Sequence, residues 1–152
     1  LGEFTIPVGD HGQLRTGTDI TLVSYGSTLR LVQIAAEKLA TMGINAEIID
    51  VQSLIPLDKT AIIGASVQKT NRLLIVDEDI PGGGSAYILS QLLEKQNIYQ
   101  YLDSQPMLLT AKEHRPAYGT DGDYFSKPSI EDIVEKVYAI MHEAKPSQFP
   151  AL

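Results

Sequence analysis

The chain of 152 residues has the length of one ordinary domain, and its hydrophobic content of 43% and charged content of 20% are those of a soluble globular protein. It has no cysteine, which excludes disulfides, thiolate metal sites and cysteine nucleophiles and is compatible with the cytoplasm, where we expect the protein. The net charge of -7 argues against nucleic acid as a partner and mildly favours a basic partner, although it also serves solubility. No apolar run approaches the ~20 residues that span a bilayer, so we expect no membrane-spanning segment.

Three short apolar runs predict the buried strands of a parallel sheet. They are residues 20–25, 46–51 and 73–76, each rich in Ile, Leu and Val and bounded by Gly, Pro or charged residues. Residues 27–42 between the first two runs form an amphipathic helix pattern, with Ser27 as a candidate N-cap and Gly43 as a stop. Because a parallel sheet requires crossovers of this kind, the pattern predicts an α/β core.

The segments around this core are less regular. Residues 1–18 form a loose leader with several glycines, and residues 11–16 within it are a candidate edge strand. After the second core strand, Asp58 is placed to cap a helix that carries Ile62 and Ile63. A helix from residue 85 to about 95 is expected after the third core strand.

The last third of the chain contains a short strand, a long loop and a final helix. The strand is expected at residues 107–110, and residues 111–128 form a polar loop of the length that is often functional or mobile. Ser129 is placed to cap the final helix, with Asp132 in the position of a capping box. The apolar stripe of that helix comprises Ile130, Ile133, Val134, Val137, Tyr138 and Met141.

A glycine run, Gly82-Gly83-Gly84, follows the third core strand at the position where open α/β sheets bind ligands. Backbone N–H groups in such a turn can hold phosphate. However, residue 87 is Tyr rather than the third glycine of the dinucleotide fingerprint, and no Lys follows. The preceding acids Asp77, Glu78 and Asp79 would also repel an anion. We therefore favour a tight turn that lets the next helix pack close to the sheet.

The acidic triplet and the histidines are the other candidates for chemistry. Three adjacent acids at a strand end point in alternating directions, which favours a solvated strand end over metal ligands or an acid/base pair. His114 is the only histidine in a charged loop cluster, where a functional contact is more plausible than catalysis by this chain alone. The sequence shows no self-sufficient catalytic, cofactor or metal site.

Five motifs occur in an order and spacing typical of one family. They are residues 19–26, 43–51, 53–58, 66–70 and 82–86. Through them, roughly residues 5–142 resemble the transketolase C-terminal domain family. The resemblance is greatest to the β-subunit type of the thiamine-diphosphate-dependent decarboxylating component of 2-oxo acid dehydrogenase complexes, of the pyruvate or branched-chain kind.

This resemblance implies a fold and a division of the chain. The implied fold is a three-layer α/β/α sandwich with a five-stranded, mostly parallel sheet whose first strand is antiparallel at the edge. The chain then divides into a leader (1–18), a transketolase C-terminal-like domain (19–144) and a tail (145–152). The resemblance also implies that this is the last domain of a longer chain, inactive alone. It implies that other domains hold the thiamine diphosphate and magnesium of the full enzyme and that this domain binds no cofactor.

The resemblance further implies a role in assembly. The expected partners are the remaining domains and subunits of the dehydrogenase, and in some complexes the basic subunit-binding domain of the lipoate acyltransferase. We expect the isolated domain to dimerise. The candidate interface residues are the loop residues Glu113, His114, Arg115 and Tyr118.

Two hypotheses from other classes stay open. The chain could be a stand-alone nucleotide- or effector-binding domain that uses the crevice at residues 82–85. It could also be an independent enzyme that acts through His114. The resemblance leaves the 2-oxo acid of the parent enzyme undefined.

Overall fold

A five-stranded mixed sheet forms the middle layer of the protein in the computed structural model, which describes residues 5–116, 118–119 and 121–151. Residues 1–4 of the predicted leader, Ala117 and Thr120 of the predicted loop and Leu152 of the predicted tail lie outside the described residues. The strands are β1 (Gly12–Arg15), β2 (Ile20–Ser24), β3 (Ala46–Asp50), β4 (Leu73–Val76) and β5 (Met107–Leu109). The helices are α1 (Thr28–Thr41), α2 (Ile62–Thr70), α3 (Gly84–Gln96), α4 (Gly122–Ser126) and α5 (Ile130–Ala144), and a 3-10 helix spans Ile98–Tyr101. None of the helices in the described ranges is long and apolar enough to cross a membrane.

The order of the strands is β1-β3-β2-β4-β5. β1 runs antiparallel to β3 at one edge, whereas the other neighbouring pairs are parallel. Helices α1 and α5 pack on one face of the sheet, and α2 and α3 pack on the other. The predicted three-layer α/β/α sandwich with an antiparallel first strand is therefore confirmed.

The central strand β2 separates two apolar cores. All five of its residues are buried, as expected for a parallel strand that is covered on both faces. Leu22 belongs to the core under α1 and α5, whereas Val23 belongs to the core under α2 and α3. The alternation of side chains along the strand thus joins both helical layers to one sheet.

The Asp58 side chain contacts three segments, which are the start of α2, the end of α3 and the segment before β1. Its carboxylate accepts the backbone N–H groups of Ile62 and Ile63, each at 2.9 Å, so the predicted cap is confirmed. The Gln96 side chain at the end of α3 donates to the same carboxylate at 2.9 Å. His11 was expected in a loose leader, but its side chain is buried, with Nε2 3.8 Å from the Asp58 carboxylate. The segment before β1 is therefore packed against the loop that starts α2.

A buried polar cluster lies at the amino-terminal ends of the parallel strands, which we call the amino-terminal edge of the sheet. The Glu47 carboxylate accepts the Gly17 N–H at 3.0 Å and pairs with Lys69. Burial alone would raise the pKa of Glu47, but the hydrogen bonds from Lys69, Ser66 and Gly17 outweigh it and lower the pKa. A Cβ at residue 17 would lie 2.2 Å from the Ala46 carbonyl carbon, so only glycine permits this approach.

The final helix α5 begins with the predicted capping box, which is confirmed. The Ser129 hydroxyl accepts the Asp132 N–H at 3.1 Å, and the Asp132 carboxylate accepts the Ser129 N–H at 2.8 Å. After the helix, the chain folds back. The Tyr138 hydroxyl donates to the Pro150 carbonyl at 3.0 Å, and Phe149 is buried against Tyr138.

Some local expectations differ from the structure. The region predicted as a polar loop contains the short helix α4, and the 3-10 helix after α3 was not predicted. Ser27 precedes α1 as expected, but its hydroxyl donates to Glu78 at 2.7 Å and does not cap the helix. Ser27 therefore holds the predicted N-cap position, but its side chain does not cap the helix, because the hydroxyl is oriented toward a carboxylate at a distant strand end and the Ser27 backbone is helical rather than extended.

Truncation of Ile133 to alanine should lower the free energy of unfolding by about 3 kcal/mol. Ile133 lies on the face of α5 that packs against the sheet, it is fully buried, and the change leaves a cavity. Chemical denaturation would measure it. Glu135→Ala on the exposed face of the same helix is the matched control and should change stability by less than about 0.5 kcal/mol. Equal stability of the two variants would contradict this packing of α5.

Candidate functional site

The carboxyl ends of β2 and β4 form the point where the chain changes direction in the sheet. The crossover after β2 leads to β3 on one side, whereas the crossover after β3 leads to β4 on the other side of β2. Ligands of open α/β sheets bind in the crevice at such a switch point. Tyr25 and Ser27 follow β2 here, and the acids Asp77 to Asp79 follow β4.

The side chain of Asp77, at the end of β4, lies at the start of α3. Its carboxylate accepts the Ser85 N–H at 2.9 Å and the Asp79 N–H at 3.1 Å, and the residue is almost completely buried. Burial raises the pKa of the Tyr25 hydroxyl, and a hydrogen bond with the negative Asp77 carboxylate raises it further. The tyrosine therefore stays neutral and shares this carboxylate with the helix start.

The glycine run lets the helix approach these groups. A Cβ on Gly84 would lie 2.3 Å from the Tyr25 hydroxyl, and a Cβ on Gly83 would lie 2.3 Å from the Asp79 carboxylate. Both distances are far inside van der Waals contact. The preference for a tight packing turn over a phosphate site thus has a structural reason: the protein's own carboxylate takes one of the N–H groups that an anion would use and places a negative charge beside the others.

The three acids after β4 diverge, as expected from their alternation, but the predicted solvated strand end was wrong for Asp77, which is buried because its carboxylate bonds the start of α3. Glu78 turns away from α3 and accepts hydrogen bonds from the Ser27 hydroxyl at 2.7 Å and from Lys127 Nζ at 3.2 Å. Asp79 accepts the neighbouring Ile80 N–H at 2.8 Å. Throughout the described part of the chain, no group of three or more His, Asp or Glu side chains is arranged to hold a metal ion.

Glu78 and Lys127 form the charged rim of a pocket. The hydrogen bonds from Ser27 and then Lys127 hold the pKa of Glu78 below its ordinary value, and the hydrogen bond to Glu78 raises the pKa of Lys127. Both side chains are partly exposed, so the pair itself adds little stability.

The pocket has a volume of about 360 Å³ and lies between the start of α1, the helix α4 and the start of α5. Its residues are Ser27, Thr28, Arg30, Leu31, Glu78, Asp123, Tyr124, Lys127, Pro128, Ser129, Ile130 and Glu131. Pockets of this size and mixed lining are typical of ligand sites. The pocket is on the α1 and α5 face of the sheet, away from the glycine turn at the start of α3.

Sequence reasoning did not single out Arg30, Asp123 or Lys127. Lys127 lies two residues before the Ser129 cap, which places a cation near the start of α5. Its partner Glu78 lies 49 residues earlier in the chain. No local pattern encodes such a pair, so only the sheet topology could have indicated it.

The candidate interface residues of the loop after β5 are exposed. The Arg115 guanidinium lies over the Tyr118 ring at 4.8 Å and donates a hydrogen bond to its hydroxyl. The His114 Nδ1 donates to the Arg115 carbonyl at 2.9 Å, and Glu113 is solvent-exposed beside it. The hydrogen bond of His114 thus goes to a backbone carbonyl and not to the orienting carboxylate that a catalytic histidine needs. Their role in a partner interface stays a prediction.

Comparisons with known proteins agree with this architecture. The sequence model of the family described as "Transketolase, C-terminal domain" matches residues 9–127. The pyruvate dehydrogenase E1 component subunit beta-1, mitochondrial, of Arabidopsis thaliana is 37% identical over 86% of this chain and 36% of its own length. The pyruvate dehydrogenase E1 component subunit beta of Rhizobium meliloti is 31% identical over 94% of this chain and 31% of its own length. The chain thus spans about a third of the length of these relatives.

A solved structure shares the fold. A split-gene transketolase, described as an inactive beta4 tetramer, matches with a TM-score of 0.73 at 21% identity. The match covers 91% of this chain and 43% of that chain. At this level of identity the likeness concerns the fold alone.

Replacement of Asp77 by alanine should lower the free energy of unfolding by about 2 kcal/mol, because the Ser85 and Asp79 N–H groups lose a buried acceptor. Asp77→Asn keeps one carbonyl oxygen and should cost less. Glu94→Ala, an exposed position on α3, is the control. If Asp77→Ala were as stable as this control in chemical denaturation, the carboxylate would not hold the start of α3.

Proposed function

Since the chain belongs to the transketolase C-terminal domain family, we propose that it is the C-terminal domain of the β-subunit of a thiamine-diphosphate-dependent 2-oxo acid dehydrogenase. The observation that carries this proposal is the 31–37% identity to pyruvate dehydrogenase β-subunits over most of this chain. The parent enzyme would decarboxylate a 2-oxo acid and pass the acyl group to lipoamide. This domain would serve assembly and not the chemistry.

The carboxyl ends of the parallel strands, which we call the carboxyl edge of the sheet, do not fit the cofactor of such an enzyme. The diphosphate of thiamine diphosphate and its magnesium need anion-binding N–H groups and a set of oxygen ligands. Here Asp77 takes the Ser85 N–H at the start of α3, and the acids beside it diverge. We therefore propose that thiamine diphosphate and magnesium are held by other parts of the parent enzyme. The same contact of Asp77 argues against the alternative that a nucleotide binds at residues 82–85.

Exposed apolar side chains support a role in assembly. Three of them are Ile55, 83% exposed in the loop after β3, Ile80, 50% exposed after β4, and Phe125, 59% exposed after β5. Because β3, β4 and β5 are parallel, all three loops lie at the carboxyl edge. Large apolar side chains gathered at one edge are typical of protein interfaces. We propose that this carboxyl edge meets the remaining domains and subunits of the enzyme.

The loop after β5 is the proposed contact for a second partner. Glu113, His114, Arg115 and Tyr118 are exposed in it, near the same edge. The net charge of -7 would favour a basic surface such as the subunit-binding domain of a lipoate acyltransferase. This partner rests on the family resemblance together with charge.

Titration calorimetry of the 152-residue chain tests whether it binds cofactors by itself. We expect no heat of binding with thiamine diphosphate and magnesium or with ATP, and no turnover of pyruvate, because the anion-binding N–H group at α3 is taken. Tight binding of either compound, or turnover by this chain alone, would contradict the proposal.

Sedimentation velocity tests the carboxyl edge as an interface. The chain should form a concentration-dependent dimer, and the double change Ile55→Ser with Phe125→Ser should leave it monomeric by removing apolar contact area. The matched control is Met42→Ser with Tyr99→Ser, since both residues are exposed but lie at the opposite edge, after α1 and α3. A monomeric chain, or a control that dissociates equally, would contradict this assignment.

A further inference from the structure

A turn of the leader at residues 7–10, which we call the clamp, is bonded to both ends of the loop between β3 and α2, the β3–α2 loop. The Gly9 N–H donates to the Ser53 hydroxyl at 3.0 Å, and the Gly9 carbonyl accepts the Lys59 N–H at 3.0 Å. Gly9 is buried, whereas Ile55 between these two attachment points is 83% exposed. One residue of the leader thus fastens the loop on either side of its exposed apolar tip.

Further contacts strengthen the attachment of the leader. Lys59 Nζ donates to the Val8 carbonyl at 3.1 Å. Next to the clamp, the buried ring of His11 places Nε2 3.8 Å from the Asp58 carboxylate. Gly9 has a φ of 96°, a conformation that glycine adopts without steric cost. The clamp therefore depends on a glycine at this position.

The β3–α2 loop needs support because two of its residues have a left-handed backbone. The φ of Asp58 is 44° and that of Ala61 is 53°, a region that residues with a Cβ disfavour. The Asp58 carboxylate fixes the helical end of the loop through the Ile62 and Ile63 N–H groups. The hydrogen bonds of the clamp flank the tip at Ile55. The strained loop is thus held from two sides, by the start of α2 and by the leader.

We propose that the clamp controls association by the carboxyl edge, because it holds the β3–α2 loop in the conformation that presents Ile55. With the clamp docked, the loop keeps its left-handed residues and Ile55 has a fixed place at the carboxyl edge. Release of the clamp removes these bonds, so the loop relaxes and Ile55 loses its fixed place. Association must then order the loop again, which lowers affinity. This inference rests on the proposed carboxyl-edge interface and adds a means of regulating it.

Two substitutions release the clamp without changing Ile55. Gly9→Ala introduces a Cβ at a φ of 96°, 2.7 Å from Lys59 Cδ, and Ser53→Ala removes the acceptor of the Gly9 N–H. The matched control is Gly43→Ala, which introduces a Cβ at a φ of 80° with no atom within 4 Å, just after α1. The control has the same kind of backbone strain at a place that does not contact the loop.

Amide hydrogen exchange at low protein concentration measures the loop by itself. In both clamp variants, the N–H groups of Lys59, Ala61 and Ile62 should exchange about tenfold faster relative to the Val137 N–H of α5, which reports global unfolding. In Gly43→Ala, the same ratio should equal that of the wild type. The ratio separates release of the loop from a general loss of stability.

Sedimentation velocity of the same variants measures association. The dimer dissociation constant of each clamp variant should be about tenfold higher than that of the wild type, whereas Gly43→Ala should leave it unchanged. Loop amides that exchange as in the control, or a dimer that both clamp variants leave unchanged, would overturn the proposal. A wild type that stays monomeric would contradict the carboxyl-edge interface itself, and this regulation with it. The two proposals therefore fail by different results.

Discussion

The Asp77 carboxylate is the contact on which the properties of the carboxyl edge depend. It is buried at the end of β4, where it holds the start of α3 and lies beside the Tyr25 hydroxyl from the end of β2. An open α/β sheet usually receives anionic ligands at this place. Because an internal carboxylate takes the N–H group, the protein closes this site itself, and Gly84 leaves the room that the closure needs.

Internal carboxylates also serve two other helix starts. Asp58 accepts the first N–H groups of α2, and Asp132 accepts the Ser129 N–H at the start of α5. Each places a negative charge at the positive end of a helix dipole, where it is stabilising. Part of the acidic charge of the chain therefore has a structural role. A net charge of -7 on its own is for this reason weak support for a basic partner.

The sequence was most informative where one local pattern determines structure. Apolar runs predicted the core strands, and the spacing of Ser129 and Asp132 predicted the start of α5, because burial on both faces and capping are encoded by neighbouring residues. Prediction failed where the deciding partner is remote in sequence. His11 lies in a glycine-rich leader by composition, yet Asp58, 47 residues later, provides the place where it is buried. Helix α4 was missed because five residues are too few to show a helical period.

The candidate site shows the same difference between features that a local pattern predicts and features that depend on remote partners. The divergence of the acids after β4 followed from the alternation of a strand, and the resemblance through five motifs supplied the family. The pocket did not follow from any motif, because Arg30 on α1 and the pair Asp123 and Lys127 at α4 belong to two segments that only the sheet topology brings together.

The two edges of the sheet differ in the groups that they present, and this difference bears on the interface that we propose. At the amino-terminal edge, Glu47 is buried with Lys69 and the Gly17 N–H, and the hydroxyl of Thr21 bonds to Ser66 and Thr70. A buried network whose groups bond to one another gains nothing from a further partner. Met42 and Tyr99 are also exposed at this edge, while at the carboxyl edge the loops after β3, β4 and β5 present Ile55, Ile80 and Phe125 to solvent. Burial of such side chains is favourable, so apolar contact would drive the association that we propose for the carboxyl edge, while the polar network at the amino-terminal edge stabilises the domain itself.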